Sequence, residues 1–290
     1  MTYQELEKLL VESIIDLYGL NESKAIQRFL FDYLGGIDAA KYLLIRSDEA
    51  DAAFELSILA SIPRLLDSVP VQYIAGKTWF CGLNIQVEPG VLIPRPETEE
   101  MVNKIIENHQ KERGLRVLDI GTGSGAIALS LCHFLNDAGV YALDVSKQAL
   151  EIARKNAREL KLDVHFMEID ILNRQQTQNL PVYDIIVSNP PYVKDSERLL
   201  MHKNVLDYEP ETALFVPDSN PLIFYKAIAS FAYSHLQSEG ELWFEFNEAE
   251  SENLSQQLTA DGFSNITIFK DIHDKPRYLS CKKPEFSDNT

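Results

Sequence analysis

Four consecutive residues, Asn189-Pro190-Pro191-Tyr192, join a polar side chain, a proline-stiffened backbone and an aromatic ring. Asn189 offers a side-chain carbonyl, and Pro190 offers a backbone carbonyl with no N–H of its own to compete. Two fixed acceptors can hold both hydrogens of a planar –NH2 group while Tyr192 lies against its plane. The nitrogen of an amide or aromatic amine is a poor nucleophile because its lone pair is delocalised. Holding both hydrogens favours a pyramidal nitrogen and aims the lone pair at an electrophile. The gain would come from positioning and preorganised dipoles rather than from a strong base. The same residues also suit a plain turn with a buried asparagine and packing prolines, and their neighbours must separate the two readings.

Just upstream, Tyr183-Asp184-Ile185-Ile186-Val187 is a short, β-branched apolar run of the kind buried in a parallel sheet. Pro190 and Pro191 cannot extend such a strand, and Pro190 keeps Asn189 extended. The corner therefore falls at a strand's carboxyl end, where an open α/β sheet places ligand-contacting groups. A second candidate element is Leu118-Asp119-Ile120-Gly121-Thr122-Gly123-Ser124-Gly125-Ala126, a strand, a glycine turn and a helix start. Glycines permit the tight turn and a close ligand, and the helix start presents free N–H groups. The spacing is Gly-x-Gly-x-Gly, neither the Gly-x-Gly-x-x-Gly of dinucleotide binders nor a Gly-Lys-Ser/Thr triphosphate loop. Asp144 ends the next strand, placed to accept from both ribose hydroxyls. Asp170 ends the third, with Ile171 beside it to line an adenine slot. A nucleoside with a short charged group and no diphosphate is implied. S-adenosylmethionine fits, with its amino-acid end near the glycines and its sulfonium facing Asn189.

These motifs need a sheet to hold them. Strands are expected at 116–120, 140–144, 164–169, 183–188, 241–246, 266–270 and 277–281, with helices at 125–135, 147–160, 221–237 and 249–260. Residues 271–276 are too few for a parallel crossover, so the last two strands should pair antiparallel. The result is a seven-stranded doubly wound α/β sheet ending in an antiparallel hairpin. Ahead of it, residues 1–70 read as a small helical bundle, in which Leu6, Leu9, Leu10, Ile14 and Leu17 share a helical spacing and Gly19 closes the first helix. Further helices are expected from Asn21, over 38–45, and from a Ser47 cap to Pro63. Nothing there carries catalytic residue types, so docking of a partner is its default role. Residues 71–95 read as a β-hairpin linker, and 96–290 as the Rossmann-like domain. Val193 to Asn220 is a long loop on the substrate side.

Composition narrows the class. Hydrophobic content of 45% is globular, and no run of 18 apolar residues exists to span a membrane. Three dispersed cysteines suit a reducing cytoplasm, and no histidine or cysteine spacing suggests a metal. A net charge of −17 without a basic stripe disfavours nucleic acid as a partner.

With these residues together, the chain resembles the release factor glutamine methyltransferases (the HemK/PrmC family). The likeness runs through Val71-Gln72-Tyr73-Ile74-Ala75-Gly76, Val91-Leu92-Ile93-Pro94-Arg95-Pro96-Glu97-Thr98-Glu99, the Asp119–Gly125 turn, Asp144-Val145-Ser146 and Ser188-Asn189-Pro190-Pro191-Tyr192. It implies a class I S-adenosylmethionine-dependent methyltransferase that methylates N5 of the glutamine in the Gly-Gly-Gln loop of peptide chain release factors. The cofactor contacts would be Gly121, Thr122, Gly123, Ser124, Gly125, Asp144, Asp170, Ile171 and Asn189. Asn189, Pro190, Pro191 and Tyr192 would bind the glutamine amide, with Asn189, Pro190 and Tyr192 as the catalytic set and no metal. The partner would be the release factor, bound by a cytoplasmic monomer without nucleic acid or membrane. Two departures stand out: after Leu214, Phe215-Val216-Pro217-Asp218-Ser219-Asn220-Pro221-Leu222 stands where Gly-Gly and then Asp-Gly-Leu are expected, and Ile171 replaces an expected aromatic. The rivals are a glutamine of a ribosomal protein, an exocyclic amine of a nucleic-acid base, and a non-catalytic binding module.

Overall fold

The computed structural model describes residues 1–285. The chain begins with α1 (Tyr3–Gly35), α2 (Ala39–Ile45), α3 (Ala52–Leu66) and the short α4 (Val71–Ala75). Thr2 caps α1 in a box with Glu5, and Gly19, at φ 73° and ψ 167°, breaks the helix in two. Leu6, Leu10 and Ile14 are buried against Phe31, Phe54 and Ile58, whereas Leu9 and Leu17 face solvent. Three expectations fail here. Asp51, not Ser47, caps α3, because its carboxylate accepts the N–H groups of Ala53 and Phe54. Pro63 lies inside α3 near its end, where a missing N–H forfeits one bond without stopping the helix. Residues 71–75 are helical rather than β-type: the β-branched run is too short to set a period, and Gly76 in the left-handed region closes a helical turn.

The hairpin follows as β1 (Lys77–Phe80) and β2 (Leu83–Gln86), and then α5 (Pro96–His109), which opens on a proline at its first turn. The remaining elements are β3 (Arg116–Ile120), α6 (Ala126–Phe134), β4 (Gly139–Asp144), α7 (Lys147–Leu160), β5 (Val164–Glu168), α8 (Arg174–Thr177) and β6 (Tyr183–Ser188). Then come β7 (Val193–Lys194), α9 (Lys203–Leu206), β8 (Phe215–Val216), α10 (Ile223–His235), β9 (Leu236–Glu245), α11 (Ser251–Ala260), β10 (Ser264–Lys270) and β11 (Pro276–Lys282). The order of the large sheet is β10-β11-β9-β6-β3-β4-β5, with β3, β4, β5, β6 and β9 parallel and β11 antiparallel to both neighbours. This is the expected doubly wound sheet with a terminal hairpin. The segment after Tyr192 is not a bare loop, since β7 pairs with β8 in parallel.

The chain divides into two compact units, one of residues 1–78, 87–89 and 202–208, the other of residues 79–86, 90–201 and 209–285. The second unit holds the large sheet. Its central strands are buried on both faces, as parallel strands covered by helices must be. No helix among the described residues is long and apolar enough to cross a membrane.

Candidate active site

Register brings the two sequence motifs together. In the sheet Ile120 of β3 pairs with Ser188 of β6, and the Ser188 hydroxyl donates to the Ile120 carbonyl at 2.7 Å. The glycine turn and the Asn189 corner therefore leave adjacent strands at the same level. On the other side Ser188 pairs with Phe244 of β9, which sets Glu245 beside Asn189. On β4, Leu143 pairs with Ile120, so Asp144 ends beside Gly121.

The turn is held from below. The N–H groups of Gly121 and Thr122 donate to the Leu143 carbonyl at 2.8 and 3.0 Å. Thr122 Oγ1 donates to the buried Asp119 carboxylate at 2.6 Å, and burial pushes that carboxyl up to about 7. Gly125, at φ 84°, caps α6, and a Cβ there would sit 3.1 Å from Leu129 and 3.2 Å from Ala153. Asn156 of α7 donates to the Ser124 carbonyl and bonds both ways with Gln86, tying the turn to β2. Asp144 accepts the N–H of Gly123 at 2.9 Å and of Ser146 at 2.8 Å. Burial raises the Asp144 carboxyl above its ordinary value, and those two N–H groups only partly oppose it.

At the corner, Asn189 Nδ2 donates to Thr98 Oγ1 at 3.0 Å, and Thr98 Oγ1 donates to Glu245 Oε2 at 2.5 Å. Thr98 has one hydrogen, already given to the carboxylate, so towards Asn189 it can only accept. The Asn189 amide must therefore turn its NH2 to Thr98, which leaves Oδ1 to accept a further hydrogen. Tyr192 donates to the other oxygen of Glu245 at 3.1 Å. The wall beside the corner is fixed by buried Glu209, which accepts the N–H of Ile93 at 3.1 Å and pairs with Arg95 at 2.5 Å.

One cavity, partly open to solvent, is lined by Gly121, Gly123, Asp144, Asp170, Ile171, Asn189, Pro190 and Pro191. Thr122, Ser124 and Gly125 are not among its lining; they brace the turn from behind. Tyr192 lines a smaller adjoining cavity that shares Asn189 and Pro190 with the first. Phe224, Ile169 and Ile228 complete an apolar slot around Ile171, and Pro210, Thr212 and Ala213 close another side. Sequence reasoning missed Phe224, Thr98, Glu209 and Glu245. A carboxylate ending the apolar run Leu242-Trp243-Phe244 was the available signal for the last. The cavity lining contains two carboxylates and no lysine, arginine or histidine. Such a lining opposes a diphosphate and suits a nucleoside carrying positive charge, so the residues fit S-adenosylmethionine: Asp144 for the ribose, the slot of Ile171 and Phe224 for the adenine.

Residues 97–207 match the family model described as the methyltransferase small domain. The release factor glutamine methyltransferase of Bacteroides thetaiotaomicron is 42% identical over 94% of this chain and 97% of its own. The enzyme of the same name from Flavobacterium psychrophilum is 46% identical over 74% of this chain and 76% of its own. The chain belongs to the release factor glutamine methyltransferases. Among solved structures, a methyltransferase from Pyrococcus furiosus aligns with a TM-score of 0.53 at 20% identity, over 78% of this chain and 98% of that one. That likeness concerns the fold alone, which this member of the family shares.

Proposed function

We propose that this protein methylates the side-chain amide nitrogen, N5, of the glutamine in the Gly-Gly-Gln loop of peptide chain release factors, with S-adenosylmethionine as donor. The observation that carries the reading is the shared cavity, in which Gly123 and Asp144 on one side meet Asn189 and Pro190 on the other. The names of the relatives and the family's residues in this chain support the same substrate. Bound there, S-adenosylmethionine supplies an electrophilic methyl group, and the new C–N bond forms as the C–S bond breaks. Asn189 Oδ1 takes one hydrogen of the substrate amide and the Pro190 carbonyl the other, which localises the nitrogen lone pair for in-line attack. The surplus proton leaves to water after transfer. Asp144 holds the ribose, and Asp170 and Ile171 bound the adenine slot.

We assign residues 1–70 to docking the release factor and 71–95 to a linker. The reading makes the protein a cytoplasmic monomer that needs neither nucleic acid nor membrane; its net charge of −17 counts against nucleic acid. The test is incubation with labelled S-adenosylmethionine and purified release factors, a Gln-to-Ala variant of the Gly-Gly-Gln loop, ribosomal protein, tRNA, rRNA and DNA. Label confined to release factors that keep the loop glutamine is expected. Label in the loop variant, in ribosomal protein or in nucleic acid overturns the reading.

A further inference from the structure

Glu245 is 1% exposed, and among the described residues no ion pair reaches it. Its neighbour Arg277 is engaged with Asp271 at 3.1 Å. A buried carboxylate without a cationic partner is expensive to keep. What occupies its two oxygens are the hydroxyls of Thr98 and Tyr192, at 2.5 and 3.1 Å. Those hydroxyls come from different elements, α5 and the corner after β6, and each leads to one end of Asn189-Pro190-Pro191-Tyr192. On its far side, Glu245 is anchored through its backbone carbonyl, which accepts the hydroxyl of Tyr225 on α10 at 3.0 Å.

We propose that Glu245 is a positioning residue for methyl transfer: through Thr98 it fixes which end of the Asn189 amide meets the substrate nitrogen, and through its other oxygen it fixes Tyr192. The inference rests on the amide-methylating reading above and deepens it. The direction of each hydrogen bond decides the matter. An ionised Glu245 accepts from both hydroxyls, so Thr98 accepts from Asn189 and Asn189 presents Oδ1 to the cavity. A neutral Glu245 would donate along one of the two bonds. If that bond is the one to Thr98, the threonine hydrogen swings towards Asn189, whose NH2 then faces the substrate NH2, donor against donor. Protonation thus reverses the polarity of the relay by turning the Asn189 amide over, so that Oδ1 and Nδ2 change places.

The groups around Glu245 set where this happens. Burial raises its carboxyl, the Thr98 and Tyr192 hydroxyls lower it, Glu97 of α5 raises it and Arg277 of β11 lowers it, leaving it at about 7. The form that supports catalysis is the ionised one, so kcat should climb as pH rises through that value.

Steady-state kinetics across pH 6 to 9 on Glu245→Gln, Thr98→Val, Thr98→Ser and Tyr192→Phe tests the relay. Glu245→Gln and Thr98→Val should each lower kcat about 10-fold or more while the dissociation constant for S-adenosylmethionine stays within about 2-fold. Thr98→Ser, which keeps the hydroxyl, should recover most of the rate lost in Thr98→Val. The rise of kcat through pH 7 should vanish in Glu245→Gln. Wild-type kcat in Thr98→Val, or an unchanged pH profile in Glu245→Gln, overturns the proposal. A readout without protein substrate accompanies these: hydrogen exchange of the Asn189 side-chain amide, followed by 15N NMR in the unliganded protein. One slowly exchanging proton in the wild type that becomes fast in Thr98→Val is expected; equal exchange in both contradicts the relay. Because this readout needs no turnover, a wild type inactive on release factors would count against the substrate assignment while the exchange data still decide the relay.

Discussion

Asp144 Oδ2 accepts the N–H of Gly123 at 2.9 Å, so the carboxylate that ends β4 also shapes the turn that follows β3. On the function proposed above, one residue would thus serve both the ribose and the backbone that approaches the cofactor's amino-acid end. Replacing Asp144 with alanine removes a charged acceptor worth about 1.5–3 kcal/mol. The dissociation constant for S-adenosylmethionine should rise about 10- to 100-fold, as read by calorimetry. An unchanged constant would show that the nucleoside lies elsewhere.

Glu209 offers a second test, this time of the wall. Its buried carboxylate satisfies the Ile93 N–H and pairs with Arg95, whose side chain is about one-third exposed. Glu209→Ala leaves a backbone N–H without its acceptor and should cost about 1–3 kcal/mol. Arg95→Ala should cost less, because the guanidinium end is about one-third exposed and water can take its place beside the carboxylate. Urea unfolding of both variants checks the order; a larger loss in Arg95→Ala would contradict it.

Both ring nitrogens of His109 face carboxylates, Nδ1 towards Glu112 at 2.9 Å and Nε2 towards Glu241 at 3.1 Å. Burial lowers the His109 pKa, but these two partners outweigh it and the net shift is upwards. A histidine whose folded value lies above its ordinary 6.5 adds stability that is fully present below that pH and lost as pH rises through the folded value. Thermal unfolding at pH 6 and pH 9 should therefore show a larger drop in the wild type than in His109→Gln. Equal drops would mean that the imidazole is neutral throughout.

How much of this was legible beforehand follows from the range of each interaction. The glycine turn, the corner at Asn189 and the seven strands announce themselves within a few residues, because turns and strand periods are local properties. Counting strand ends singled out Asp144 and Asp170, and both line the cavity. The residues that orient the corner were not: Thr98 and Glu245 lie 147 apart in sequence, and Ile93 and Glu209 lie 116 apart. Nothing in spacing links them until register sets β9 beside β6. Thr122, Ser124 and Gly125 were expected at the ligand, yet a tight turn needs residues behind it as much as in front. The β-reading of residues 71–75 failed because five residues carry too little periodicity to separate a strand from one turn of helix.

The central claim is that Asn189 holds a carboxamide against the cofactor methyl within one cavity. Its most direct test is the single-turnover rate of methyl transfer to a release factor by Asn189→Ala, with the cofactor saturating and its binding measured separately. The account predicts a rate at least about 10²-fold below wild type with S-adenosylmethionine still bound. A rate near wild type would contradict it.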